Sequence, residues 1–479
     1  MQATMQALPT IQLNFLKSPE FWKYAVYAIL VLLMCLYAGT SFWFYQKNGM
    51  YTEDPKNIAT LLSVRRNDLS VALDRLPPVE ASVIANLTSS SPWSSIAPNQ
   101  TALVNWRPLT VRLCGYLGGA NGIKNGVFDM NYGITNALKL GARAFFFDID
   151  YLDVAPCAPV LLYRDQQGYK RSLMSGFVKD GMSALANSAF VNNNDPVIII
   201  VYLRRVPSGT IQKTTFFTNL ANSLMPLDLH FLKRTDAGNA YGRQSESSIF
   251  TTPISSFSQK FIVMINYDTS VIPDTITGQS NLDYWNNARI YQDTTGTGSS
   301  IGPITPSATT PQAYAQVADA SQILSMSAAD QTSFAEKNRS VFTLAIREPE
   351  YNYSSSDLET LLNKLGVQCV PIDVLANAAN PNHVAALAEC AAYTTKNNPL
   401  PLASLSTDNS SSKKDPLSYW YYAGYSVKNV ATAEGYADYS TKDASEKSKI
   451  PFYTIPSPAI PQKPSPATNA NGGLLSIGK

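Results

Sequence analysis

Residues 136–169, NALKLGARAFFFDIDYLDVAPCAPVLLYRDQQGY, constrain the fold more than any other stretch of the chain. The segment opens as the end of an amphipathic helix carrying Ala137, Leu138 and Leu140, turns at Gly141, and becomes an unbroken apolar run from Ala144 to Phe147. An apolar run without polar alternation reads as a strand buried on both faces, the condition of a parallel sheet covered by helices. That strand delivers Asp148 and Asp150 at its carboxyl end with Ile149 between them, and the period of two puts both carboxylates on one face. In a parallel barrel this end of the strand faces the mouth, where chemistry is built.

The surrounding pattern agrees with a barrel. Apolar runs at Thr110 to Leu117, Pro196 to Val206, Lys260 to Tyr267, Val341 to Ile346 and Val367 to Val374 alternate with helical stretches at Gly176 to Phe190, Thr214 to Leu224, Asp357 to Leu365 and His383 to Tyr393. Strand–helix alternation of this length predicts an α/β chain with a TIM-type (β/α)8 barrel over residues 106–400. Thr294 to Gln312, rich in Thr, Ser, Gly and Pro, reads as a long surface loop.

Outside the barrel the chain has a different character. After an N-terminal segment of residues 1–23, Tyr24 to Tyr45 runs without a charge for about 22 residues, enough to cross a bilayer of ~30 Å. Phe21 and Trp22 stand before the span and Phe42, Trp43 and Phe44 close it, as interfacial belts require. The alternative is a cleaved signal peptide, against which stand the length of the run and the lack of a basic start. Lys17 and Lys23 precede the span while Lys47, Lys56, Arg65 and Arg66 follow it, which leans toward a cytoplasmic side for the large domain. Residues 46–105 read as a stalk helix, stopped by Pro77-Pro78, and a Ser-rich linker. Residues 401–450 read as a flexible connector with an aromatic packing cluster at Ser418 to Tyr425. The Pro-rich stretch from Pro451 to Lys479 suits an extended tape or a disordered tail.

Net charge is +2 with no basic block, so nucleic acid is not an expected partner. The five cysteines lack C-x-x-C spacing and indicate neither a metal site nor a disulfide framework. Sequons at Asn86, Asn99, Asn338, Asn352 and Asn409 are about as many as chance supplies in a chain rich in Asn, Ser and Thr.

The pattern L-x-x-G-x-R-x-x-x-x-D-x-D from Leu138 to Asp150, followed by Pro159, Val160 and an aromatic, resembles the second strand of the phosphatidylinositol-specific phospholipase C barrel, a PLC-like phosphodiesterase fold. The resemblance covers Trp106 to Tyr393, by pattern alone in the later strands. It implies two histidines at early strand ends, one deprotonating the inositol 2-hydroxyl and one protonating the leaving group, beside carboxylates that hold calcium or orient the base. This chain departs from that set. The first slot reads Leu113-Cys114, the second has Arg164, and the third strand ends in Tyr202 followed by Leu203, Arg204 and Arg205. The only histidines are His230 and His383, neither near a matching strand end.

What remains is Asp148 and Asp150. They suit either a divalent cation or, as a remnant, ion pairs with Arg143, Arg164 or Arg204, and the shortage of nearby oxygen ligands favours the pairs. Arg204 and Arg205 read more readily as a salt-bridged strand end than as a phosphate clamp, and Tyr116 with Gly118 and Gly119 as a tight turn. Cys114 beside Arg164 is the one group able to replace the lost base. The expectation is a barrel with no catalytic residue, no cofactor and no metal.

A histidine-free barrel with Asn/Thr/Ser-rich loops and the strand Gly366 to Pro371 resembles PLC-like proteins encoded by large double-stranded DNA viruses. That resemblance implies a membrane-anchored minor capsid protein, tied to the bilayer through residues 24–45 and to major and other minor capsid subunits, in the virion between inner membrane and shell. A membrane-bound phosphodiesterase acting on phosphoinositides or glycerophosphodiesters, and a lectin-like ectodomain, are the alternatives.

Overall fold

The computed structural model describes residues 18–48, 55–73, 82, 84–85, 101–119, 122–153, 156–165, 167–233, 246–272, 276–292, 314–348, 353, 355–373, 375 and 424–428. The loop at Thr294 to Gln312, the helix at His383 to Tyr393, the connector, the tail from Pro451 and the sequons Asn86, Asn99, Asn352 and Asn409 lie outside the described residues.

In chain order the elements are α1 (Pro19–Asn48), α2 (Pro55–Leu73), β1 (Trp106–Pro108), β2 (Thr110–Arg112), β3 (Tyr116–Gly119), β4 (Gly122–Phe128), α3 (Met130–Lys139), β5 (Ala144–Tyr151), β6 (Pro159–Leu161), β7 (Gly176–Phe177) and α4 (Val178–Ser188). They continue with β8 (Val197–Leu203), α5 (Thr210–Leu224), α6 (Glu246–Thr251), β9 (Phe261–Ile265), β10 (Ala288–Gln292), β11 (Ala315–Asp319), α7 (Ala320–Ser325), α8 (Ala328–Lys337), β12 (Phe342–Ile346), α9 (Ser355–Leu358) and β13 (Tyr425–Val427). A π turn at Glu359–Lys364 extends α9.

Strands β2, β5, β8, β9, β10, β11 and β12 pair in that order, all parallel, into one curled sheet, with β6 and β7 added antiparallel on the upper half of β5. The fold class is therefore the expected α/β one, but the ladder is open between β12 and β2. Residues 368–372 span that gap with isolated parallel bridges, Cys369 to Leu344 on one side and Ile372 to Val111 on the other. Among the described residues of Val367 to Val374, no regular eighth strand forms. Pro371 has no N–H to give to a ladder, and Gly366 enters the segment at φ 68°. The first strand is likewise shorter than expected, because Leu113 at φ 47° and Gly115 at φ 77° break Thr110 to Leu117 into β2 and β3.

Alternation along the strands sorts the apolar residues into two clusters. Ala144, Phe146, Ile198, Ile200, Tyr202, Ile262, Met264, Val317 and Leu344 fill the lumen together with Leu103 and Trp106, which close its base. Phe145, Phe147, Ile149, Ile199 and Val201 face outward onto Leu185 of α4 and Leu220 of α5. Phe145, Phe146 and Phe147 are all essentially fully buried, which is why the run needs no polar position; each such side chain contributes about 1.5–3 kcal/mol on burial. Because Phe146 points into the lumen, so do Asp148 and Asp150, two and four residues on.

The expected stalk helix does not stand free. Leu69 of α2 is fully buried in the outer core, Leu61 and Leu62 pack against it, and Arg66 Nε donates to Asp129 Oδ2 at 2.5 Å. Asp129 caps α3 by accepting from Tyr132 N–H, and its own N–H donates to Gly115 O beside the end of β2, so this contact lies at mouth level. Farther along, Ser82 Oγ and Ile84 N–H both donate to Asp195 Oδ1, at 2.6 and 2.9 Å, just ahead of β8 at the base. The described parts of this stretch, α2 with Ser82, Ile84 and Ala85, thus lie as a belt along one flank. A groove of about 450 Å³ lies beside it, bordered by Leu62, Phe128, Met130, Met174, Phe177 and Asp180.

Helix α1 has the expected place and type. Its Pro19–Trp43 portion is long and apolar enough to cross a membrane, and none of its most apolar window is buried against the rest of the chain.

Of the aromatic cluster at Ser418 to Tyr425, only Gly424 and Tyr425 are described. β13 pairs antiparallel with β1 at the base, where Tyr425 is fully buried and its hydroxyl donates to Pro196 O at 2.9 Å.

Candidate functional site at the barrel mouth

A cavity of about 190 Å³ opens at the carboxyl ends of the strands, lined among others by Leu113, Asp148, Asp150, Arg164, Arg204 and Glu348. The strand pattern places both aspartates there, and four arginines converge on them. Arg112 Nε donates to Asp148 Oδ2 at 2.8 Å and its Nη2 to Asp148 Oδ1 at 3.0 Å, a two-pronged contact. Arg204 Nε adds a bond to Asp148 Oδ1 at 2.6 Å. One step outward, Arg164 Nε donates to Asp150 Oδ2 at 2.5 Å and Arg205 Nε to Asp150 Oδ1 at 2.8 Å. Arg205 also reaches Asp153 Oδ1 at 2.9 Å and Tyr151 O at 2.7 Å, and its guanidinium lies 4.4 Å from the Tyr151 ring centroid.

The ion-pair expectation for Asp148 and Asp150 thus meets its geometry, with different partners. Arg164 and Arg204 take part. Arg143 does not: it starts β5 at the other end, and its Nη1 donates to Ala189 O at 2.8 Å. Arg205 is salt-bridged as read for that strand end, but its partner Asp150, like the whole contribution of Arg112, is not legible in the sequence, because these pairings run across strands and leave no local trace. Arg112 stands opposite Phe146 in the β2–β5 register, one inward step below Asp148.

Every carboxylate oxygen of the pair accepts from a cation, so a divalent metal would have to displace arginines to bind. The described residues contain no cluster of three or more His, Cys, Asp or Glu able to hold one. Phosphate fares no better. The acids Asp148, Asp150, Asp165 and Glu348 face three arginines in the cavity wall, leaving no positive surplus.

The residues in the slots that the sequence resemblance singled out are largely buried. Leu113 lines the cavity as an apolar side chain. Cys114 is buried with Sγ 3.4 Å from Val111 O and 3.7 Å from Phe146 O. Burial pushes its thiol well above the ordinary value, with Asp148 adding to the effect, so it is a neutral thiol and no base. Tyr202, paired in register with Asp148, is fully buried, and burial likewise raises its phenol. Burial also raises the Asp148 carboxyl, against the pull of Arg112.

His230 sits at the base, Nδ1 3.1 Å from Gln259 O, its ring 5.0 Å from that of Phe190. His383 lies outside the described residues. The tight turn expected at Tyr116, Gly118 and Gly119 is instead strand β3, hydrogen-bonded to β4, with Tyr116 Oη accepting from Gly126 N–H at 2.9 Å.

No protein-family model and no curated protein matches the chain. Among solved structures its neighbours are phospholipases C of the PLC-like phosphodiesterase fold. PLC21 from L. pealei shares 13% identity at a TM-score of 0.39, over 58% of this chain and 35% of that one. A calcium-dependent phosphoinositol-specific phospholipase C from Pseudomonas sp shares 10% at 0.37, over 58% and 92%. The Ca+2-dependent enzyme from Streptomyces antibioticus shares 9% at 0.36, over 60% and 98%. The chain spans 35% and 40% of the L. pealei and S. officinalis PLC21 proteins. Overlaps this loose leave the assignment of function to the residues themselves.

Proposed function

We propose that this protein is a membrane-anchored structural barrel without phosphodiesterase activity. The observation that carries the reading is the locking of Asp148 and Asp150 by Arg112, Arg164, Arg204 and Arg205. General acid and base steps typically contribute about 10² to 10⁴-fold each. The positions that supply them in the resembling enzymes are an apolar Leu113, a neutral buried Cys114 and an always-charged Arg164. An apolar helix able to span a bilayer, a belt that ties the barrel to it, and a Pro-rich end suited to contacting neighbours make a linking part. With the sequence resemblance to proteins of large double-stranded DNA viruses, the reading is a minor capsid protein between inner membrane and capsid shell.

The test is turnover of phosphatidylinositol and of glycerophosphodiesters by the detergent-solubilised protein, with and without calcium, on wild type and Asp148→Asn. The expected result is no turnover above background in either. Turnover abolished by Asp148→Asn would establish the phosphodiesterase alternative. Recovery of the protein at fixed stoichiometry in a purified particle checks the capsid placement.

A further inference from the structure

The seam of the barrel carries a titratable group that the mouth network does not use. Asp373 directly follows Ile372, whose N–H donates to Thr110 O and whose carbonyl accepts from Arg112 N–H, both at 3.0 Å. Those two bonds, with Cys369 N–H to Thr343 O at 3.1 Å and Ala345 N–H to Cys369 O at 2.9 Å, are among those that join β2 to β12. Asp373 Oδ1 is fully buried and accepts no hydrogen bond among the described residues. The residue as a whole is partly exposed, which leaves the proton a route in and out.

Among the described residues, the charged and titratable groups around it are few. Arg112 and Cys114 face it from β2 and the turn that follows, Asp148 from β5, and Tyr116 from β3. Tyr202 on β8, Glu348 after β12 and Tyr353 act on the neighbouring Arg112–Asp148 pair. Among the described residues Arg112 is the cation within reach, and it is already engaged by both oxygens of Asp148 and by Arg347 O. Burial pushes the Asp373 carboxyl up to about 7, with Arg112 opposing and Asp148 adding to the rise.

We propose that Asp373 is a proton-operated latch on the barrel seam: as the neutral acid it lets residues 368–372 pair with both β2 and β12, and as the carboxylate it loosens them. Ionisation sets a second buried negative charge beside Asp148 with a single guanidinium between them. A buried charge lacking its own partner is relieved by opening to water. The closed seam binds the proton more tightly than an open, hydrated one, whose aspartate titrates near ~3.9. A carboxyl raised on closing stabilises the closed form fully below the ordinary aspartate value. That stabilisation is lost as pH climbs to the raised value and changes no further above it. Linkage makes the opening equilibrium constant rise about tenfold from pH 6 to pH 8.

The experiment is amide hydrogen exchange of the full-length protein in detergent at pH 6, 7 and 8, corrected for intrinsic rates, on wild type, Asp373→Asn and Asp373→Ser. In wild type the amides of Arg112, Ala345, Cys369 and Ile372 should lose about tenfold protection across that range relative to Ile199 and Ile200 of β8. Neither variant carries the proton site, so whichever folds should show no such loss. Seam protection independent of pH in wild type, or the same pH dependence in a folded variant, overturns the proposal. The wild-type arm decides if neither variant folds.

Discussion

Replacing Asp148 by Asn keeps the shape of the carboxylate and removes its charge. Arg112, only 2% exposed, is then left in the lumen without an anion bound to it, while Arg204, 27% exposed, can turn toward water. Breaking a buried pair in this way costs about 3–5 kcal/mol, because the surviving charge stays buried. A more open pair such as Arg289 and Asp268, 3.4 Å apart, contributes about 0–1 kcal/mol. Groups retained for chemistry behave in the opposite sense, since they are usually held at a cost to the fold and their removal is neutral or stabilising. Equilibrium urea unfolding of the detergent-solubilised protein, read as a shift in midpoint at constant slope, separates the two cases. The expected result is a loss of about 3–5 kcal/mol for Asp148→Asn and less than about 1 kcal/mol for Asp268→Asn. An Asp148→Asn protein as stable as wild type, or more so, would mean that the carboxylate serves binding or catalysis, and the structural reading would fail.

Leu32→Arg places a charge in the middle of α1 at about 2.5–3.5 kcal/mol on insertion scales and should weaken membrane retention; release of the wild-type protein by alkaline carbonate would refute a spanning role. Gly424→Ala puts a Cβ 2.3 Å from the backbone oxygen of Gly141, so β13 should detach and expose the base to protease while the mouth stays protected. Asn338 is fully buried, with its Nδ2 donating to Leu365 O at 2.8 Å, so Asn338→Gln should leave the mass on endoglycosidase treatment unchanged and lower stability.

The parts of the fold legible in the sequence are those whose burial is uniform. β5 and β8 are apolar at nearly every position because both faces are covered, and such runs stand out from their surroundings. β10 and β11, reading ARIYQ and AQVAD, carry polar residues within short strands and do not stand out; Gln316 is fully buried, with Nε2 donating to Thr343 Oγ1 on β12. At the site, the aspartates could be placed by period alone, whereas their partners could not. Arg112 meets Asp148 across a parallel register and Arg205 meets Asp150 from the end of the next strand, and no local spacing encodes either contact. The helix at Pro55–Leu73 is legible from its pattern, but what it packs on is not, for the same reason. A half-apolar helix looks alike whether its stripe faces a partner or its own domain, and only the buried Leu69 shows which.

The antiparallel pairing of β13 with β1 has a mechanical consequence. Helix α2 meets the barrel at mouth level, through Arg66 and Asp129, while Lys428, the last described residue, sits at the base, where its N–H donates to Asn105 O at 2.9 Å. In the proposed linking role, tension between α1 and the C-terminal side of β13 would pass through the barrel in series. Its first yield point is the register of Trp106 with Val427 and Pro108 with Tyr425, a clasp of three residues backed by the Tyr425 hydroxyl on Pro196 O. How long that clasp survives under load is set by its rate of opening, not by the equilibrium stability of the barrel.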